Sequence, residues 1–518
     1  MTDAADREGA EQESAALEVA GSSSPGSGSL LGAALLGSSA TLIVGLLGVA
    51  RTKVLAVGLE PSGLGLYGQI LTLLTALSAA SGLGLGLGTT RVVAERRAGG
   101  DRDGVKKALE VSFTLPLAVA LVLALVIAAC SGLLAPLLLD DDRALLIVFA
   151  ALVVPIVAVQ GPLVHALQGF RDVAGAQGSN VFFGVTLTVA SVVGVVAAGL
   201  EGAVLALAVG NFAYGAALAW RLRALLRPVG IKLALRAGLR PERLREPVIR
   251  TMLGIGFASL FVGVISGLAE LAVRTFVLKG EGQDAAGIFQ ALQLISIQVL
   301  AVIVASVVFL SFTAISEAHA VGDRERVRRT VDDTLRLALL LVVPVLLALG
   351  LFRSDVIRLF LSSDFEAAGD LLPRQLVGDA LRTVAFALGA ALVPLGMTRA
   401  WGFIAGITAV SYVAVAAVLV PAYGLDGAVD AYVAVWLVAA TLTVAVLVRR
   451  GFFAPSLLTA RTLVCGLLAM VVLTTVPEPT WEVATVVLVT FAGLLAAVGT
   501  ARDERTAVVA RVRESLAR

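Results

Sequence analysis

The chain has 518 residues, 58% of them hydrophobic and only 15% charged, with a mean hydropathy of +0.94. A soluble domain carries about 25% charged residues, so a soluble globule is excluded, and a formal net charge of +2 gives no reason to expect a nucleic-acid partner. Apolar runs of about 20 residues recur throughout, each able to cross a ~30 Å hydrocarbon core as a helix, which makes this a polytopic membrane protein.

Residues 1–28 are acidic and then rich in Gly and Ser, without the basic start or cleavage site of a signal peptide. They read as a disordered cytoplasmic tail. Hydropathy then predicts six spans at about 30–57, 66–89, 109–133, 144–167, 177–199 and 202–221. Six more follow at about 251–278, 285–313, 335–352, 372–397, 400–421 and 425–448, and a last pair at about 459–476 and 481–500. The expected fold is therefore all-α with about fourteen transmembrane helices. Its parts are an N-terminal six-helix lobe (29–222), a basic cytoplasmic connector (223–250) and a C-terminal six-helix lobe (251–450). An additional helix pair (451–500) and a basic cytoplasmic tail (501–518) complete it.

Loop charge supports this count. Arg91, Arg96, Arg97, Arg102, Lys106 and Lys107 follow the second span, the connector is rich in Arg, and Arg324, Arg326, Arg328 and Arg329 follow the eighth. The opposite loops are short and poor in cations. The positive-inside rule then places both termini in the cytoplasm of a multi-pass cell-membrane protein. One longer outer loop, 352–371, contains DVIRLFL and predicts a short interfacial helix.

The chain also repeats itself. Arg51-Thr52-Lys53-Val54-Leu55 returns as Arg274-Thr275-Phe276-Val277-Leu278, Gly65-Leu66-Tyr67 as Gly287-Ile288-Phe289, and Gly199-Leu200-Glu201-Gly202 as Gly424-Leu425-Asp426-Gly427. All three echoes stand at nearly the same offset along the chain, the mark of an internal repeat. An even number of spans per half inserts both halves the same way, so the six-helix repeats are parallel.

No catalytic or metal-binding constellation is present: His165 and His319 lack partner spacing, and neither a P-loop nor a CxxC occurs. The protein is expected to be no enzyme and to need no cofactor. Cys130 and Cys465 sit in apolar runs as packing residues. Gly82 to Gly88, GLGLGLG, reads as close helix packing or a hinge, and Asp140-Asp141-Asp142 as a solvated turn. The intramembrane ions carry more meaning, because charges there are expensive and rare. Arg51 and Lys53 lie toward the outer end of the first span; Arg274 lies at the equivalent depth of the seventh, with Glu270 one turn before it. Asp379 and Arg382 stand at i, i+3 in the tenth. Two readings remain open for the cations, snorkelling to headgroups or lining a shared water-filled cavity that suits an anion, since guanidinium forks match phosphate oxygens. Glu270 and Asp379 would be the supporting acids. Gln168, Arg171, Asp172 and Asn180, at the inner ends of spans four and five, read either as an ordinary polar loop or as an inner gate.

LAVGLEPSGLGLYGQ, LQGFRDVAGA (167–176), FEAAGDLLPRQLVGDALR (365–382) and PAYGLDGAV (421–429) resemble the Wzx-type flippases of lipid-linked oligosaccharides, the O-antigen and enterobacterial-common-antigen branch. These belong to the multidrug/oligosaccharidyl-lipid/polysaccharide exporter superfamily. The resemblance implies a V-shaped two-lobe bundle around a cationic cavity, with Lys53, Arg274, Asp379 and Arg382 on charged positions of the pattern. It implies alternating-access transfer of an undecaprenyl-diphosphate-linked oligosaccharide to the outer leaflet, for cell-surface polysaccharide or lipopolysaccharide biosynthesis. Its partners would be that glycan and membrane lipids, with polymerase or assembly proteins as further candidates. The extra helix pair departs from the usual twelve spans and keeps a peptidoglycan-precursor flippase open, alongside a multidrug cation antiporter and, from another class, a membrane scaffold.

Overall fold

The computed structural model describes residues 27–140, 142–244 and 246–500. Of the tail expected at 1–28, residues 1–26 lie outside the described residues, while 27 and 28 already belong to the first helix; the tail expected at 501–518 and Asp141 of the acidic triple also lie outside them. Among the described residues ten helices reach span length. They are α1 (Ser27–Gly82), α3 (Arg102–Ala129), α5 (Ala144–Gly169), α6 (Val173–Leu226), α8 (Pro247–Ala320), α9 (Arg324–Leu351), α11 (Ala368–Gly389), α12 (Thr398–Arg449), α13 (Leu457–Thr475) and α14 (Trp481–Gly499). Shorter helices lie between them: α2 (Leu85–Ala98), α4 (Ser131–Leu138), α7 (Pro241–Leu244) and α10 (Arg353–Phe360). Four of the long helices bend sharply, α1 at Glu60, α6 at Ala198–Gly199, α8 at Gly282 and α12 at Gly424. Each of these four holds two segments of span length, which gives fourteen such segments among the described residues. The short helix expected in 352–371 is α10.

The bends repeat in register. Glu60 (φ 56°, ψ 179°) is matched by Gly282 (φ 87°, ψ −179°), and Gly199 (φ 54°, ψ −126°) by Gly424 (φ 60°, ψ −134°), at the offsets of the sequence echoes. Such backbone angles are nearly confined to glycine, so Glu60 holds a conformation that the second half assigns to Gly282. The caps repeat too. Asp101 accepts the Gly104 N–H at 2.8 Å at the start of α3, and Asp323 accepts the Arg326 N–H at 2.9 Å at the start of α9. Between neighbouring helices Thr89 bonds Ser112 at 2.8 Å, and at the equivalent positions of the second half Thr334 bonds Ser311 at 2.7 Å.

The chain divides into two compact units, Met1–Gly287 and Ile288–Arg518. This division falls inside α8, because the first limb of α8 packs on α1 and α2. A Cβ at Gly84 (φ 63°) would run into the Gly256 carbonyl, so GLGLGLG both breaks the helix and lets two backbones meet. Gly65 and Gly287, repeat partners in sequence, are themselves in close approach: a Cβ on Gly65 would meet the Gly287 nitrogen at 2.7 Å.

The connector after α6 is fixed to the first unit. Glu110 of α3, with 0% of its surface exposed, accepts the Ala234 N–H at 2.9 Å and faces Arg243 at 3.8 Å. In the second unit α13 and α14 pack on α9 with polar ties at both ends. Asp332 accepts the Ser456 N–H at 3.1 Å, buried Arg336 donates to the Gly499 carbonyl at 3.2 Å, and Glu478 takes the Ser354 hydroxyl at 2.7 Å. Cys130 and Cys465 are both free thiols. Asp140 and Asp142 are exposed turn residues.

Candidate substrate-binding site

In the first unit, the charged positions of the repeat lie on α1 and on the first limb of α8. Arg274 is nearly enclosed, its side chain 7% exposed, and donates through Nε and Nη2 to Glu270 Oε1 at 3.2 and 3.1 Å. One turn of helix is the spacing at which an acid and a base meet on one face. The pair therefore lowers the charge that Arg274 offers, while fixing the direction of its fork. Arg51 is half-buried, and its Nε is enclosed without a hydrogen-bond partner among the described residues. A buried donor left unmade is costly, and an incoming anion would satisfy it. Lys53 is half-buried on the same segment. Next to Arg274, Thr275 receives a hydrogen bond from Gln69 Nε2 at 2.7 Å, which ties the second limb of α1 to the first limb of α8. Gln69 was not legible as a site residue; its signal is an amide inside an apolar span.

Asp379 and Arg382 belong to the second unit. Asp379 has 0% of its surface exposed and accepts hydrogen bonds from Ser296 Oγ at 2.6 Å and Tyr432 OH at 2.8 Å. Arg382 donates to Tyr432 OH at 3.3 Å and lies over the rings of Phe386 (5.3 Å) and Trp436 (5.4 Å). Arg382 is thus an aromatic-held cation bridged to the acid by a tyrosine. Cation–π contact of this kind stabilises a guanidinium that water no longer hydrates. Gln375, also fully buried, completes the cluster through Ser296 at 3.4 Å. Near the start of α11, Arg374 pairs with Asp426 and Asp430 of α12. Sequence reading found Asp379 and Arg382 by their charge but missed Ser296, Gln375 and Tyr432, because neutral polar residues in a span raise no comparable signal.

The four gate candidates lie around the α5–α6 turn of the first unit. Asp172 accepts the Gly175 N–H at 3.1 Å as the N-cap of α6 and takes a two-pronged bond from Arg221 at 2.5 and 3.0 Å. Arg171 is exposed at φ 61°, Gln168 is exposed and Asn180 half-buried. Of the four, it is the Asp172 side chain that holds the turn.

The model of a polysaccharide biosynthesis protein family matches residues 54–369, more than half of the chain. The chain belongs to this polysaccharide biosynthesis protein family. Among curated proteins, a lipid III flippase of Escherichia coli (strain K12) is 27% identical over 415 residues, which covers 77% of this chain and 94% of that protein. A lipid III flippase of Shigella flexneri matches equally. Solved structures of the multidrug/oligosaccharidyl-lipid/polysaccharide exporter superfamily share the fold. An inward-facing multidrug resistance transporter superposes with a TM-score of 0.68 at 16% identity, covering 81% of this chain and 98% of that one. A lipid II flippase in an inward closed conformation also gives 0.68, at 14% identity, covering 89% and 98%. This family member is a multi-pass membrane protein of that superfamily fold.

Proposed function

We propose that the chain is a flippase, not an enzyme, that carries an undecaprenyl-diphosphate-linked oligosaccharide from the cytoplasmic to the outer leaflet by alternating access. The observation that carries this reading is the pair of repeat-related arginines, Arg51 with its enclosed Nε unsatisfied and Arg274 aimed by Glu270. Intramembrane cations mark substrate paths, and a guanidinium fork suits a diphosphate. The similarity to lipid III flippases over most of both chains supports the same class of cargo. In this mechanism Arg51, Lys53 and Arg274 receive the diphosphate, the glycan occupies the water-filled space, and the lipid tail stays in the bilayer. Both termini and the basic loops lie in the cytoplasm, as the loop charges favour.

Surface-polysaccharide complementation at equal protein level tests it. Each charge-assisted contact is worth about 1.5–3 kcal/mol, so Arg51→Gln or Arg274→Gln should weaken substrate binding roughly ten- to hundred-fold. Lysine at either position should be milder, and the double glutamine variant worst, with the lipid-linked intermediate accumulating. Full complementation by the double variant would remove the anionic-substrate reading. A second reading, a multidrug cation antiporter, draws on buried Asp379. It predicts drug export that fails in Asp379→Asn while polysaccharide assembly persists.

A further inference from the structure

The first unit contains a cavity that neither the repeat nor the charged positions explain. At the basic-loop end, the connector turns at Gly230 (φ 74°) and passes beside the ends of α3, α5 and α6, leaving a space of about 720 Å³. Its walls are apolar, with Phe113, Leu163 and Leu222 among them, and its rim carries Arg223, Arg227 and Lys232. All three cations are exposed, and among the described residues none has an acid partner. Their neighbours differ: Arg221 pairs with Asp172, Arg243 faces Glu110, and Lys107 pairs with Asp103 at 2.9 Å. Acids in this region are thus spent on other cations, and the cavity rim stays positive. Trp220, 71% exposed on α6 beside this end, is the residue type that sits at headgroup depth.

We infer that this cavity is a binding site for an anionic phospholipid of the cytoplasmic leaflet, with acyl chain against Phe113, Leu163 and Leu222 and phosphate on Arg223, Arg227 and Lys232. Basic pockets between helices on the cytoplasmic side take acidic headgroups by this combination of apolar wall and unpaired charge. At roughly 30 Å³ for each water-sized group, the space takes about two dozen methylenes. That suits acyl chains better than a long polyprenyl tail. The site takes its sidedness from the loop charges and requires no transport activity, so it stands or falls separately from the flippase reading.

The test uses the full-length protein in non-ionic detergent, titrated with phosphatidylglycerol or with phosphatidylcholine of the same chains, and bound lipid is read by native mass spectrometry. Phosphatidylglycerol should bind at the lower concentration. Each cation removed should weaken it about five-fold, so Arg223→Gln, Arg227→Gln and Lys232→Gln together should cost roughly a hundred-fold, with phosphatidylcholine unchanged. Arg326→Gln, Arg328→Gln and Arg329→Gln together, in the basic first turns of α9, should have no such effect. Val159→Trp, which fills the cavity, should weaken both lipids; if it fails to fold, the charge variants decide alone. Equal phosphatidylglycerol binding by wild type and the triple variant overturns the inference. So does binding of free glycerol phosphate as tight as that of the lipid, because the cavity would then contribute nothing.

Discussion

The turns at Gly199 and Gly424 have nearly the same backbone angles, and Asp101 and Asp323 cap α3 and α9 in the same way. The side chains packed between those features differ sharply. In α11 the stretch around Asp379 buries an acid, a glutamine and two hydroxyl donors in one network. The stretch of α5 at the same place in the first repeat, Ala150–Ala158, is apolar throughout. There the nearest buried polar contact is simpler, Gln160 donating to the Asn211 carbonyl at 2.9 Å. Backbone turns and caps repeat because helix geometry and backbone hydrogen bonding must be satisfied wherever the chain crosses. Buried charge is under no such compulsion, and at this place it is retained in one half only.

The largest expected effect lies at this asymmetry. Asp379→Ala would leave the Tyr432 hydroxyl without its acceptor and Ser296 with the Leu292 carbonyl alone at 3.1 Å, at about 1–3 kcal/mol for the stranded tyrosine and about 1 kcal/mol more for the serine bond, and should lower the thermal midpoint of the purified protein clearly. Gln160→Ala, at the simpler contact of the other half, should cost about 1 kcal/mol. Equal losses at the two sites would mean that the network adds nothing beyond an ordinary pair. Next in size are the paired bends. Gly282→Ala forces a side chain into φ 87° and should destabilise by about 1–3 kcal/mol. Glu60→Gly relieves the same conformation and should leave the midpoint level or raised; a fall would show that the Glu60 side chain makes up for its backbone. Smallest is the hydroxyl bridge. Thr89→Val and Thr334→Val should each cost about 1 kcal/mol, and a disparity much beyond that would break the equivalence of the halves at this point.

Much of the architecture was legible in the chain. Apolar runs gave the spans, because a helix that crosses hydrocarbon has to be long and apolar. Three short echoes gave the repeat, and the structure adds matched bends at the same offsets, one of them at the Gly199 and Gly424 echo itself. Charge alone marked Arg51, Lys53, Arg274, Asp379 and Arg382, since ions stand out in an apolar stretch. Their partners were harder. Glu270 was found at one-turn spacing from Arg274, but Tyr432 is separated from Asp379 by 53 residues, and no local pattern links them.

The class, the number of crossings, the repeat and the intramembrane charges follow from the amino-acid order, because each is a matter of composition or periodicity within a stretch of chain. Which of those charges are neutralised was settled by folding. It gave Arg274 two bonds to one carboxylate oxygen, left the Arg51 Nε enclosed without a partner among the described residues, and placed Arg382 over two aromatic rings. It also turned the connector from a linker into part of the first unit, held by Glu110. Burial and partner choice depend on residues far apart in the chain meeting in one place, and a one-dimensional pattern does not encode that distance.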